Sequence, residues 1–395
     1  MQITRVQIFT KNSSYTGKFA KLILSDGTTI DGVGFGYPTD VFGELVFNTG
    51  MVGYVEALTN PSYGGQLLTL TYPLVGNYGV PDPGLVDEFG ITKYFESNKI
   101  QARALIIHNL SNNPSHWNLS MTLDEWMYKE KIPGISNVDT RMLTQKIRKQ
   151  GVMMAGLIVS DEKIDVSAAN TLSENLTNTK LYNDTDFVSD ISTPKPVEYG
   201  SGRPVIVIDT GVKNAILRNI CSMGYRAVVV PWNVSFQTIS SFNPHAVVIS
   251  SGPGDPQKCS ATINTAKELI NHDIPTLGIC LGAQIIAIAG GAQTYKLKYG
   301  HRGQNKPCMD LLDDDKVYVT SQNHGYCIDS ESLNNTDFDI WFTNVDDDTV
   351  EGIKSSNKKC LAVQFHPEAS PGPFDCKFIF EQLRHIMEEE NPAKK

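Results

Sequence analysis

Long apolar runs and clusters of basic residues are both missing from this 395-residue sequence. No stretch approaches the roughly 18 consecutive apolar residues that a membrane-spanning helix requires, so we expect no membrane partner. The amino-terminal residues also lack the continuous apolar core of a secretory signal. Nucleic-acid binding depends on clustered Lys and Arg, whereas this chain has a formal net charge of -9. We therefore expect no nucleic-acid partner.

Paired cysteines are missing as well. The seven cysteines form no C-x-x-C pair and no zinc-binding spacing with the eight histidines, so we expect no metal on this chain. An odd, scattered set of thiols indicates a reducing compartment, which favours a cytoplasmic protein. The alternative is an organellar transit peptide, because Arg5, Lys11, Lys18 and Lys21 all precede the first acidic residue, Asp26.

The composition of the sequence changes between residues 186 and 203. Pro, Ser and Gly interrupt the hydrophobic periodicity there, in "DFVSDISTPKPVEYGSGR". We interpret this segment as a linker between a domain at 1–185 and a domain at 204–395. The first domain has strand-like segments followed by helical ones, which predicts a β-rich α+β domain. It contains no catalytic pattern that can be read from its residues alone.

The second domain contains six short apolar runs, several of them separated by amphipathic segments of helical length. The runs are "PVIVID", "RAVVVP", "HAVVIS", "PTLGIC", "VYVTSQ" and "CLAVQF". Their richness in Val and Ile predicts buried parallel strands in a doubly wound sheet, and hence an α/β fold. Ligands bind at the carboxyl ends of such strands, so we expect the functional residues of this domain there.

One cysteine, Cys280, stands between two glycines where a predicted strand meets a predicted helix. The pattern G-x-C-x-G in "LGICLGAQ" is the thiol version of a nucleophile elbow, in which glycines permit a sharp turn that leaves the nucleophile accessible. Backbone N–H groups and the helix dipole at that position favour a thiolate. The N–H of Leu281 is then a candidate donor to an oxyanion. The alternative is a small buried hydrophobe, which is the usual fate of a free cysteine.

A base for this nucleophile is offered by "CLAVQFHPEAS". His366 ends an apolar strand, and Glu368 follows two positions later on the same side of an extended backbone. Pro367 restricts the backbone between them. This arrangement predicts a histidine that acts as acid and base and a carboxylate that orients it. The alternative for the pair is an ordinary strand-end histidine and a solvated charge.

A glycine-rich turn, "SSGPGDP", follows the strand before the cysteine elbow. Such a turn directs backbone N–H groups at an anion, and no Lys-Ser or Lys-Thr follows to make it a phosphate-binding loop. We expect the N–H near Gly254 to be a second oxyanion donor beside that of Leu281.

These segments together resemble a known family. "SSGPGDP", "LGICLGAQ", "SQNHGY" and "QFHPEASPGP", in that order, resemble the class I, triad-type glutamine amidotransferases. "GELVFNTGMVGYVEALTNPSYGGQLLTLTYPLVGNYGV" and "IPGISNVDTRMLTQKIRKQG" look like the amino-terminal domain of the small, glutamine-hydrolysing chain of carbamoyl phosphate synthetase. The resemblance runs from about residue 17 to about residue 385.

The resemblance implies a site in which Cys280 is the nucleophile, His366 its acid and base, and Glu368 the residue that orients the histidine. It also implies a set of glutamine-binding positions: Ser62, Gly252, Gly254, Leu281, Gln284, Asn323, Gly325 and Tyr326. Because Ser62 belongs to the first domain, that domain is expected to lean over the active site. One departure is Ala283, where the family usually has histidine, and its effect on turnover is left open.

The resemblance further implies a partner. This chain has no P-loop and no recognisable ATP-binding segment, so we expect no cofactor on it. A large synthetase chain or fused domain would bind ATP, magnesium and bicarbonate and receive ammonia through an internal passage. The product serves arginine or pyrimidine synthesis, and the sequence does not decide between them.

Three other functions stay open from the sequence. The first is a class I glutaminase that serves another acceptor, against which the first domain argues. The second is a cysteine hydrolase that acts on peptides or γ-glutamyl conjugates without a partner. The third is a catalytically weak or inactive regulatory subunit, against which the presence of Cys280 argues.

Overall fold

The structure, a computed structural model, describes residues 17–313 and 315–388. The basic residues Arg5 and Lys11, on which a transit peptide was considered, lie outside the described residues. Among the described residues, no helix combines the length and the apolar character needed to cross a membrane.

The amino-terminal part of the described chain is built around a closed barrel. Its strands are β1 (Lys18–Leu24), β2 (Thr29–Gly36), β3 (Asp40–Asn48), β4 (Gln66–Leu70), β5 (Leu74–Val75), β6 (Ala104–Ile106), β7 (Asn109–Leu110), β8 (Pro133–Ser136) and β9 (Met153–Ser160). The barrel order is β1-β2-β8-β6-β4-β3-β9, whereas β5 and β7 pair separately. Closure removes the exposed sheet edges that an open sheet of this size would carry.

Five helices accompany the barrel strands and the connection that follows them. They are α1 (Tyr54–Thr59), α2 (Leu123–Lys129), α3 (Thr140–Gln150), α4 (Val166–Asn178) and α5 (Val188–Ile191). The starts of three helices follow from their sequences: Thr122 and Glu125 form a capping box at α2, and Asp139 and Asp165 cap α3 and α4. The predicted β-rich α+β character of this half is confirmed.

The carboxyl-terminal part contains one ten-stranded sheet within the described residues. Its strands are β10 (Val197–Tyr199), β11 (Pro204–Asp209), β12 (Arg226–Pro231), β13 (Ala246–Ile249), β14 (Thr276–Ile279), β15 (Thr294–Asp310), β16 (Lys316–Ile328), β17 (Phe338–Asn344), β18 (Val350–Ser355) and β19 (Cys360–Val363). Strands β12, β11, β13, β14 and β19 are neighbours in that order and run parallel. Strand β10 and the strands beyond β19 pair antiparallel with their neighbours.

Helices cover both faces of the parallel part of the sheet. They are α6 (Asn214–Ser222), α7 (Phe236–Ser241), α8 (Ser260–Asn271), α9 (Leu281–Ala289) and α10 (Phe378–Glu388). Alternate strand residues face opposite layers, so Ile206 packs with α7, α8 and α9, while Val207 packs with α6 and α10. The predicted α/β, doubly wound architecture is confirmed, with an antiparallel extension that the sequence did not predict.

One predicted strand has a different role in the sheet. The run "VYVTSQ" was predicted to be a buried parallel strand, but it belongs to the long β16, which pairs antiparallel with β15. Val317 and Val319 are 49% and 41% exposed, so the run alternates between two faces instead of being buried on both. The sequence predicted that Asn323, Gly325 and Tyr326 lie at the carboxyl end of a parallel strand. They lie instead within an antiparallel strand.

The two parts of the chain are in direct contact. The predicted linker contains α5 and the edge strand β10, and backbone hydrogen bonds cross between the parts, such as Val152 N–H to Lys298 O at 2.9 Å and Asn214 N–H to Glu96 O at 2.9 Å. The domain boundaries inferred from the sequence stay predictions. What matters for the site is that barrel residues reach the carboxyl ends of the parallel strands.

Candidate active site

Cys280 lies at the sharp turn between β14 and α9, and the structure shows why glycines flank it. A Cβ on Gly282 would lie 2.0 Å from the carbonyl oxygen of Ile249, and one on Gly278 would lie 2.7 Å from the carbonyl oxygen of Gly282. The glycines therefore permit close backbone approach. The left-handed backbone conformation belongs to Cys280 itself, with φ of 55°, which is a strained conformation for a residue with a side chain.

The thiol of Cys280 lies at the wall of a pocket and is only 2% exposed. Burial, with Glu368 next in size, raises its pKa to about 12, although the Leu281 N–H and Lys213 act in the opposite direction. The sequence-based expectation that the helix terminus holds a thiolate is therefore wrong for this state, because desolvation outweighs the helix terminus. The Sγ atom donates to the carbonyl oxygen of Asn323 at 3.7 Å. Cys280 rests as a thiol that needs a base.

His366 is brought to the same end of the sheet by the neighbouring strand. Strands β14 and β19 are parallel, and the Cys280 N–H donates to Val363 O at 2.8 Å. The His366 Nδ1 atom is 2.7 Å from Glu368 Oε1. An ionised carboxylate only accepts, so Nδ1 carries the proton and Nε2 has the free lone pair. Nε2 is buried and has no hydrogen-bond partner among the described residues, which leaves it available as a base.

Glu368 is kept ionised by a buried lysine that the sequence reasoning missed. Burial raises the pKa of this carboxyl, but Lys213, followed by His366, more than offsets burial and holds the pKa at about 2. Lys213 Nζ is 3.0 Å from Glu368 Oε1 and donates to Ala369 O at 2.8 Å. Lys213 follows the carboxyl end of β11, and this position on a parallel strand was the available signal for it.

The barrel half contributes to this charged cluster through Glu96. Its Oε2 atom lies 3.8 Å from Lys213 Nζ and accepts from the Ala215 N–H at 3.2 Å, while Oε1 accepts from Ser370 Oγ at 2.5 Å. Burial lowers the pKa of Lys213, but the opposite effect of Glu368 and Glu96 is larger. The pKa therefore lies above its ordinary value, and the ammonium stays charged. The orientation of the histidine thus depends on residues from both halves of the chain.

A pocket of about 370 Å³ lies between the barrel and the sheet. Cys280 lines it together with all eight predicted glutamine-binding residues: Ser62, Gly252, Gly254, Leu281, Gln284, Asn323, Gly325 and Tyr326. The structure brings these residues together, and their role in binding glutamine stays a prediction. The sequence reasoning missed other lining residues: Glu44, Gln66, Tyr182, Pro253, Lys296, Arg302 and His324. Pro253 and His324 lie within the quoted motifs "SSGPGDP" and "SQNHGY", whereas the other five are scattered over both halves with no local motif to mark them.

One predicted oxyanion donor is occupied. The Gly254 N–H donates to the Tyr182 hydroxyl at 3.1 Å. Gly252 approaches the elbow closely instead: a Cβ there would lie 1.9 Å from Thr210 O and 2.8 Å from Leu281 Cδ2. Gly252 therefore places the backbone of the glycine-rich turn beside Leu281.

Ala283, the departure noted in the sequence, lies away from the pocket. It is fully buried and packs in the apolar layer that contains Ile249 and Ile285. It is not among the residues that line the pocket. Its methyl group packs in the apolar layer between α9 and the sheet.

A buried group of His301, His324 and Glu351 lies behind the pocket. One ligand-type atom from each lies within 4.8 Å of the others, and among the described residues this is the group that could hold a metal ion. Burial raises the pKa of Glu351, but His324 and His301 more than offset it and hold the pKa at about 2. His324 Nδ1 also lies 2.8 Å from the carbonyl oxygen of Tyr326, so these contacts fix the part of β16 that lines the pocket.

The chain is similar to known proteins over both halves. Residues 206–386 match the family model "Glutamine amidotransferase class-I", and residues 22–157 match "Carbamoyl-phosphate synthase small chain, CPSase domain". The carbamoyl phosphate synthase small chain of Methanopyrus kandleri is 42% identical over 94% of this chain and 99% of that relative. The same protein from Pyrococcus furiosus is 43% identical over 93% and 97%. A solved glutamine amidotransferase from Thermotoga maritima is 19% identical with a TM-score of 0.34, covering 49% of this chain and 87% of its own. With one sequence match that spans both halves, this chain belongs to the family of carbamoyl phosphate synthase small chains.

Proposed function

We propose that this chain is the glutaminase component of a carbamoyl phosphate synthase. It hydrolyses glutamine and delivers the ammonia to a synthetase partner, a large chain or fused domain that makes carbamoyl phosphate from bicarbonate and ATP. The observation that carries the proposal is a nucleophile elbow at Cys280 in a small polar pocket, with His366 and Glu368 at the same end of the sheet. Family membership over both halves supports the choice of acceptor.

The proposed reaction begins with proton transfer from the Cys280 thiol to His366 Nε2. The thiolate sulfur attacks the side-chain amide carbon of glutamine, and the oxyanion accepts hydrogen bonds from backbone N–H groups at Leu281 and Gly252. The imidazolium donates its proton to the departing nitrogen, so ammonia leaves and a γ-glutamyl thioester remains. His366 then takes a proton from water, and the hydroxide that forms releases glutamate and restores the thiol.

The resting geometry supports a reaction that is triggered by substrate. The Cys280 sulfur bonds to Asn323 O, and His366 Nε2 has no partner, so the two are not yet joined. Catalytic hydrogen bonds are often long in unliganded enzymes and tighten when substrate binds. Because burial raises the pKa of Cys280 to about 12, we expect the thiol to react slowly until glutamine aligns it with the histidine.

ATP and magnesium belong to the partner in this proposal, and no cofactor is assigned to this chain. The chain acts in the cytoplasm.

The proposal is tested by a paired assay of carbamoyl phosphate formation, with glutamine or ammonia as the nitrogen source, in the presence and absence of the large chain. We expect glutamine to support synthesis only when both chains are present, and ammonia to support it with the large chain alone. If the large chain uses glutamine equally well without this chain, the proposal is wrong. Glutamine hydrolysis that feeds a nucleotide or anthranilate acceptor, and not carbamoyl phosphate, would identify a different amidotransferase.

A further inference from the structure

Buried polar atoms without partners converge on the pocket. Within the described residues, five of its lining side chains have such an atom: Ser62 Oγ, Gln66 Oε1, Arg302 Nε, Asn323 Nδ2 and Tyr326 OH. A buried polar group without a hydrogen bond is costly, and native proteins have few of them, so a cluster of them marks the place where a polar ligand binds. Gln66 and Arg302 are not among the positions that the sequence identified.

Arg302 is a buried cation without an anionic partner. The arginine is 4% exposed, and its Nη1 atom donates to Tyr299 O at 2.6 Å. No carboxylate of the described chain forms an ion pair with it. A guanidinium cannot release its proton, so the charge cannot be removed by a pKa shift. A buried charge is stable only when it is paired, and this one is unpaired at the wall of a pocket.

The neighbouring charges of the pocket do not serve as that partner. Glu44 is the carboxylate among the lining residues, and Lys296 Nζ lies 2.5 Å from its Oε1. The Oε2 atom of Glu44 accepts from Gln66 Nε2 at 3.1 Å. The lining side chains therefore have one positive charge in excess, at Arg302.

The contact with Glu44 also fixes which way the Gln66 amide points. A carboxylate only accepts hydrogen bonds, so the amide nitrogen of Gln66 must face Glu44 and the amide oxygen must face elsewhere. Gln66 is 2% exposed, and its Oε1 has no partner among the described residues. This oxygen requires a donor, and a cationic donor makes the strongest bond with it.

We propose that Arg302 binds the α-carboxylate of the substrate and that Gln66 Oε1 accepts a hydrogen bond from its α-ammonium group. A free zwitterionic amino acid satisfies both unpaired groups at once, whereas a glutamine residue inside a peptide has neither charge. The two residues come from different halves of the chain, so the halves together select free glutamine. This inference rests on the proposed glutaminase function and names the basis of its substrate specificity.

The test measures equilibrium binding by calorimetry to the full chain with Cys280→Ala, which binds but does not turn over. Three ligands are compared: L-glutamine, glutaric acid monoamide, which lacks the α-amino group, and 4-aminobutanamide, which lacks the α-carboxylate. We expect Arg302→Met to weaken the binding of glutamine and of glutaric acid monoamide about 10- to 100-fold, since a hydrogen bond to a charged group contributes about that much. The affinity for 4-aminobutanamide should be nearly unchanged. Gln66→Met should weaken the binding of glutamine several-fold and leave the affinity for glutaric acid monoamide unchanged.

Controls separate recognition from folding. Arg148→Met removes an exposed guanidinium that lies 5.8 Å from the Tyr299 ring, and it should leave all three affinities unchanged. Arg302→Lys keeps a positive charge at this position and should recover part of the affinity for glutamine and glutaric acid monoamide, the two ligands that have the carboxylate. Thermal melting of each variant reports whether it is folded at the assay temperature.

The outcomes distinguish this inference from the function on which it rests. If the folded Cys280→Ala chain binds none of the three ligands, both the inference and the proposed function are wrong. If it binds glutamine and Arg302→Met weakens every ligand by the same factor, Arg302 is structural and the inference alone is overturned. Unchanged glutamine affinity in folded Arg302→Met overturns it as well.

Discussion

Lys213→Met removes the cation that keeps Glu368 ionised in the interior. The pKa of Glu368 is about 2, against an ordinary value of 4.5, and this difference corresponds to about 3 kcal/mol in favour of the ionised, folded state. Loss of one partner from a buried ion pair costs about 3 to 5 kcal/mol, because the other charge is left unpaired. We therefore expect the variant to lose about 3 kcal/mol or more of unfolding free energy in urea denaturation.

The same substitution changes the pH dependence. In the parent chain the pKa of Glu368 is lowered by folding, so its contribution to stability is present above about pH 4.5 and disappears as the pH falls toward 2. Without Lys213, burial dominates, the pKa of Glu368 rises, and the carboxyl takes up a proton at higher pH. A protonated Glu368 no longer fixes the His366 tautomer.

We expect glutaminase kcat to fall about 10- to 100-fold, less than the roughly 10⁴-fold loss when the orienting carboxylate of a triad is replaced. The acid limb of the kcat profile should move to higher pH. Lys163→Met, at an exposed position, is the matched control and should change neither property. The double variant Lys213→Met with Glu368→Gln should be more stable than Lys213→Met alone, since the charge of Glu368 is then no longer left unpaired. Parental stability and an unmoved pH profile in Lys213→Met would refute the reasoning.

Three further predictions follow from the elbow. Cys280→Ser should abolish carbamoyl phosphate synthesis from glutamine and leave synthesis from ammonia unchanged, which the paired assay measures, and equal loss of both would count against its role as nucleophile. Burial, more than any other cause, raises the pKa of Cys280 to about 12, so its alkylation by iodoacetamide should be slow at pH 7.5. The alkylation rate, measured by peptide mass spectrometry, should keep rising through pH 10. A plateau of the rate below pH 9 would contradict this. Gly282→Ala should lower both the melting temperature and the glutaminase rate, because the new Cβ would lie 2.0 Å from Ile249 O, and unchanged values of both would contradict this.

Much of the fold could be predicted because the parallel strands are continuous buried runs. "PVIVID" has no polar residue before Asp209, and "HAVVIS" has none between His245 and Ser250, which is typical of strands that are covered on both faces. The antiparallel extension was missed because "VYVTSQ" begins with the apolar residues of a buried run, whereas its valines are exposed in the structure. The closure of the barrel depends on pairing between β1 and β9, which are distant in sequence, and no local signal encodes that pairing.

The candidate site was predictable where a motif holds several residues on one turn. Cys280, His366 and Glu368 lie in short patterns whose chemistry is clear, and the neighbouring strands bring them to one end of the sheet. Lys213 had only its position after the carboxyl end of β11 as a signal, and Arg302 had none, since a single lysine or arginine has a role only through what it faces in three dimensions. The ionisation of Cys280 was predicted wrongly because the helix terminus can be seen in the sequence and burial cannot.

The central claim is that Cys280 forms a covalent bond with the acyl group of glutamine, and acid quenching of the enzyme during turnover tests it most directly. This chain, together with the proposed synthetase partner, is mixed with isotope-labelled glutamine, stopped with acid and digested, and the cysteine peptides are examined by mass spectrometry. The account predicts a γ-glutamyl thioester on the peptide that contains Cys280 and on no other, absent in Cys280→Ser. Steady glutamine hydrolysis by Cys280→Ser, or a thioester on a different cysteine, would contradict it.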